Sequence, residues 1–121
     1  MDFRRISPVE LQVMRAWLEH DVPGAEFLRD QVGEETQVFR SCDCGCSSIG
    51  FASLTQGRGR GSFIFGVDAE IIDENGASVG GMVLTIRDGQ LRDVDVHSWS
   101  DEVEFPSVEQ VRWQLRTDKS G

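Results

Sequence analysis

From residue 63 to residue 99 the apolar side chains fall on every second position, and two glycine turns cut that run into three strands. Phe63, Phe65, Val67, Ala69 and Ile71 share one face of the first strand, and Asp68 and Glu70 share the other. Glu74-Asn75-Gly76 supplies an Asn-Gly turn, the strongest short hairpin signal, and Asp88-Gly89 supplies a second. Met82, Leu84 and Ile86 face together over 79–87, and Val94 and Val96 over 91–99. Turns this short join only antiparallel neighbours, so the segment predicts a meander with one apolar and one wet face. Two further strands are expected over 36–42 and 49–54, with Ile49 and Phe51 facing together.

The cover for the apolar face is expected before residue 36. Ser7-Pro8-Val9-Glu10 opens a helix: Ser7 caps, Pro8 takes the first helical position and Glu10 completes a capping box. Leu11, Met14 and Leu18 form its stripe, flanked by Val13 and Trp17, and it should end near His20. After Pro23-Gly24 a shorter helix is expected, with Ala25, Leu28 and Val32 inward, Phe27 beside them and Gly33 as its stop. Ser107 and Gln110 form another capping box, which predicts a short C-terminal helix to about residue 116. The reading is α+β: an N-terminal helix pair on an antiparallel meander of about five strands, then a short helix. It is one domain over 1–121 with its ordered core at 5–116.

Charge excludes some functions. Lys plus Arg number 12 and Asp plus Glu 21, a formal net charge of -9. Residues 1–60 hold seven basic and nine acidic side chains, and residues 61–121 hold five and twelve. Nucleic-acid binding runs on cations that neutralise phosphates, so no nucleic-acid partner is expected. Nor is an anionic membrane surface, and no stretch approaches a span of about 18 apolar residues. The N-terminus carries no signal-like apolar core, so a cytoplasmic location is expected.

The three cysteines, Cys42, Cys44 and Cys46, lie within five residues. An odd number leaves no complete internal disulfide set. Thiolates at spacing two reach one soft metal ion if the backbone turns, and Gly45 permits the turn. Zinc usually takes four ligands, so a fourth would come from His97, His20, an Asp or water. The alternative is that these are small turn residues without metal. Gly57-Arg58-Gly59-Arg60-Gly61 lacks the following helix a phosphate loop needs and reads as a surface loop. His20 suits a helix C-terminus, and the tail over 118–121 reads as disordered.

Asp93, Asp95, His97 and Trp99 alternate, so they share a face opposite Val94 and Val96. If the meander pairs in order, one strand separates them from Asp68 and Glu70, and all four acids lie on one surface. That surface reads as an acidic binding face anchored by Trp99, as a metal or general-base site using Asp95 and His97, or as an ordinary solvated face.

The order of landmarks, from the helix over 11–21 through Pro23-Gly24 to a Cys-x-Cys-Gly-Cys-x-Ser-Ile element at 42–49, resembles a family of small uncharacterised bacterial proteins. The resemblance covers roughly residues 5 to 106, and only the cysteine element is specific. Ser47 stands where that family commonly has proline. The resemblance implies a fold and a bacterial cytoplasm but no reaction.

The function expected first is non-catalytic binding of a basic protein through Asp68, Glu70, Asp93, Asp95, His97 and Trp99. Immunity and antitoxin proteins share that profile of small size and an acidic face. A zinc-binding domain built on Cys42, Cys44 and Cys46 is the alternative. A metal-dependent hydrolase using Asp95 and His97 near a thiolate-bound ion ranks last. An exposed Trp99 would equally serve a homodimer.

Overall fold

The computed structural model describes residues 3–22, 24–40, 48–52, 62–87, 89–99 and 104–115. The cysteine turn, the Gly/Arg-rich loop over 56–61, Asp88 and the C-terminal tail lie outside the described residues.

The first strand, β1 (Arg4–Arg5), leads into helix α1 (Pro8–Leu18) through the expected capping box. Glu10 N donates to Ser7 Oγ at 3.1 Å, and Ser7 N donates to Glu10 Oε1 at 2.9 Å. Arg4 completes the cap from β1, donating to the two Glu10 oxygens at 2.8 and 2.7 Å. Glu10 is only 6% exposed, so this carboxylate is held by neighbours rather than by water. Leu11, Val13, Met14, Trp17 and Leu18 are all buried.

Helix α2 (Ala25–Arg29) is shorter than expected, and Gly33 is not its stop. The residues after it are drawn to the sheet. Gln31 donates to Gly89 O at 2.8 Å and accepts from Leu91 N at 2.9 Å, so its amide replaces a helical continuation with two strand contacts. Arg29 Nε donates to Leu18 O at the end of α1, tying the helices together. Leu28 packs inward, while Phe27 is 65% exposed rather than flanking the core.

The strands that follow are β2 (Gln37–Arg40), β3 (Ile49–Phe51), β4 (Ser62–Ile64), β5 (Val67–Ile72), β6 (Ser78–Arg87), β7 (Gln90–Ser98) and β8 (Val111–Leu115). They form one antiparallel sheet of eight strands in the order β1-β2-β3-β7-β6-β5-β8, with β4 also paired to β6. The expected five strands are therefore too few. The long strand expected from 63 divides at Phe65-Gly66 into β4 and β5, both still on β6. The Asn-Gly hairpin forms as expected: Gly76 is left-handed at φ 81, and Asp73 Oδ1 accepts from Asn75 N and Ala77 N at 2.8 and 2.9 Å.

The expected C-terminal helix is corrected. Ser107 N does donate to Gln110 Oε1 at 3.1 Å, but the result is one 3₁₀ turn (Val108–Gln110) before β8. Val111 and Trp113 alternate with Arg112 and Gln114, and the open edge of β5 takes them as a strand. Trp17 then joins helix to sheet. Its buried indole N–H donates to Val67 O at 2.8 Å, and its ring lies 5.4 Å from that of Trp113.

Burial alone would raise the Glu10 carboxyl, but the Arg4 hydrogen bonds and the Ser7 N–H outweigh it and hold it below the usual range. Its contribution to stability is complete above the unfolded-chain value of about 4.3 and is lost as pH falls through the lower folded value. We expect Glu10→Gln to cost about 1–3 kcal/mol at neutral pH. Urea unfolding of both proteins should show the gap narrowing in acid; a gap independent of pH would count against this account.

Candidate functional site

Strand alternation divides the sheet residues between two sides. Val67, Ala69, Ile71, Met82, Leu84, Ile86, Val94 and Val96 are buried against the helices. Asp68 and Glu70 of β5 and Asp93, Asp95 and His97 of β7 point the other way. Strand β6 lies between β5 and β7, so the expected four-acid surface is formed.

Register arranges this outer side in rows. One runs Phe39, Gly50, Asp93, Thr85 across β2, β3, β7 and β6. The next pairs Asp95 with Val83, with Asp68 beyond β6 and paired to Gln114 of β8. A third runs His97, Gly81, Glu70, Arg112. Val83 thus has acids on both flanking strands.

Trp99 is 61% exposed and still held in place. Its Nε1–H donates to Ser78 Oγ at 2.8 Å. Its ring lies over Gly81, whose hypothetical Cβ would meet the indole at 3.7 Å. Gly81 stands between His97 and Glu70 in register, and the indole packs against that position at ordinary contact distance. The opposite end of the outer side is also aromatic. Phe39 covers Gly50 so closely that any Cβ there would lie 2.4 Å from the ring, and Phe3 meets Phe39 edge-on at 5.6 Å.

The acids are not equivalent. Glu70 is paired with Arg112 at 3.1 Å, and Arg112 belongs to the strand that replaces the expected helix. Asp93 sits 3.8 Å from the exposed Arg92 and next to Asp95 on the strand. Burial and then the Asp95 charge raise the Asp93 carboxyl, outweighing Arg92 and the Thr85 hydrogen bond.

Sequence reasoning found Asp68, Glu70, Asp93, Asp95, His97 and Trp99 on one surface but missed Ser78, Gly81, Arg112 and the Phe3–Phe39 pair. Only the alternation of Arg112 with Val111 and Trp113 carried a local signal. Cys42, Cys44 and Cys46 lie outside the described residues. Among the described residues no group of three or more His, Cys, Asp or Glu side chains is placed to hold a metal ion, and no helix is long and apolar enough to cross a membrane. No family model, curated protein or solved structure matches the chain.

A carboxyl raised on folding is disfavoured when ionised. Relative to the unfolded chain, Asp93 favours the fold in acid and opposes it as pH rises through the raised value. Asp93→Asn should therefore stabilise the protein at neutral pH by about 0.5–1 kcal/mol, the partial exposure of the group keeping the effect small. The gain should vanish below the ordinary carboxylate range. Thermal unfolding at neutral and acid pH checks both, and a destabilised variant at neutral pH would contradict the assignment.

Proposed function

We propose that this chain is a non-catalytic protein-binding domain that captures a basic protein through the outer side of its sheet, in the manner of an immunity or antitoxin protein. The observation that carries the reading is the placement of Asp68, Asp93 and Asp95 around Val83, beside an exposed Trp99 whose indole N–H is already held by Ser78. An aromatic anchor ordered before binding loses little freedom on contact, and aromatic residues of this kind dominate interface energies. The carboxylates supply long-range attraction for cations and select against acidic partners. Asp93 supports the reading further. Its charge is kept beside Asp95 at a cost to the fold, and binding a cationic group would relieve that cost.

The test uses immobilised protein and a panel of purified cationic nucleases. Wild type should retain a member of the panel, with association slowing as salt rises. Asp93→Lys with Asp95→Lys should abolish retention, and Trp99→Ala should weaken it at least tenfold, about 1.4 kcal/mol. Both variants should melt within about 4 °C of wild type. Undiminished retention by the double variant, or no retention by wild type, would overturn the proposal.

The thiol spacing at Cys42, Cys44 and Cys46 favours a second reading, a zinc-binding turn. Native and denaturing mass spectra of the reduced protein should then differ by one zinc ion, and a chelator should lower the melting temperature. A metal-free native mass after zinc loading would remove this reading.

A further inference from the structure

The helix side of the molecule carries two adjoining concavities, one rimmed by acids and one holding two arginines. The first, about 590 Å³, lies between α2 and the β2–β3 and β6–β7 strands. Its apolar floor includes Phe51 and Leu91, its rim carries Asp30, Glu34 and Glu35, and the exposed Phe27 stands at its wall. Among the described residues no Lys or Arg lines it. The second, about 510 Å³, lies along α1 and β1. Arg5 and Arg15 line it beside Ile6, Pro8 and Leu11, and Val9 is 42% exposed at its wall. Glu34 borders both hollows, so they form one continuous surface.

A surface helix of a monomer normally turns its polar stripe outward. Here Phe27 and Val9 both stand on that side, each next to a hollow with apolar walls. Among the described lining residues the first hollow carries only acids, while Arg5 and Arg15 gather at the second with Glu34 on the border between them. A two-fold interface requires one patch to complement itself, so that the residue contacted by one copy contacts its counterpart in return. A patch with an acidic half and a basic half, each holding one protruding apolar side chain, meets that requirement.

We infer that the helix side is a two-fold interface between copies of this chain, with the Asp30, Glu34 and Glu35 hollow of one copy receiving the Arg5 and Arg15 region of the other. A uniformly basic partner fits the first hollow but meets Arg5 and Arg15 at the second, and a uniformly acidic one meets the reverse. A second copy satisfies both at once. This interface does not depend on the proposed function, because Asp68, Asp93, Asp95 and Trp99 lie on the opposite side of the sheet.

The test is sedimentation equilibrium of the purified full chain over a concentration series. Wild type should reach twice the 13.5 kDa chain mass. Phe27→Asp should remain monomeric throughout. Arg15→Glu and Glu35→Arg should each weaken dimerisation about tenfold, and combining them should restore it, because each reversed charge then meets the other across the two-fold. All these positions are exposed, and circular dichroism of each variant checks that the fold is retained. A wild type that stays monomeric at every concentration would overturn the inference. So would a dimer indifferent to Phe27→Asp, and one abolished instead by Trp99→Ala would place the contact on the sheet side. Nuclease retention by Phe27→Asp should match wild type, so a failed dimer and a failed partner are separately visible.

Discussion

The Trp17 indole has one polar atom and is otherwise enclosed by apolar side chains, so its position is decided by where that N–H finds an acceptor. It finds Val67 O, at the start of β5. Leaving the group unpaired in the core would cost about 1–3 kcal/mol, which makes other seatings of α1 on the sheet unfavourable. The same ring packs against Trp113 of β8, and Trp113 in turn meets His20 at the end of α1. One side chain thus joins the helix, an inner strand and an edge strand. Once α1 lies on this side, alternation leaves no freedom: Asp68, Glu70, Asp93 and Asp95 must face away from it. The acidity of the outer surface follows from where one tryptophan is buried.

What was legible in the sequence was local. The Ser7–Glu10 capping box, the stripe from Leu11 to Leu18, the period of two after residue 63 and both glycine turns depend on neighbours within a few positions, and each has its expected consequence in the fold. What was not legible depends on distant partners. Ser107 and Gln110 make the expected contact, yet one turn later the chain becomes a strand, because the open edge of β5 offers five paired positions that a short exposed helix cannot match. The two residues of β1 have no pattern of their own and exist through pairing with β2. Helix α2 stops early because Gln31 binds a hairpin nearly sixty positions away.

The candidate site divides along the same line. Which residues face outward was readable from alternation. How they are tuned was not. Glu70 looked like a free acid and is neutralised by Arg112, forty-two positions later. Trp99 looked like a free exposed ring and is held by the Ser78 hydroxyl, twenty-one positions earlier. Asp93 and Asp95 carry like charges at adjacent outward positions, and the cross-strand neighbours of Asp93 are Thr85 and Gly50, the latter carrying the Phe39 ring over it. Burial and the Asp95 charge outweigh the Arg92 ion pair and the Thr85 hydrogen bond that favour the carboxylate.

The two sides of the molecule then make different demands on a partner. The sheet side is acidic and aromatic: among the described residues its cations are Arg87, Arg92 near Asp93 and the Arg112 already engaged, against Asp68, Glu70, Asp93 and Asp95, so it offers little to another copy of an equally acidic chain. The helix side holds both signs, and a copy of itself is the simplest surface to match it. Pairing there would oppose the net charge of -9 on each chain, a repulsion that salt at physiological ionic strength screens over about 8 Å. It would also turn both sheet faces outward from the two-fold. The two sheet faces would then point apart, so each would take its own partner and the dimer would bind two partner molecules independently.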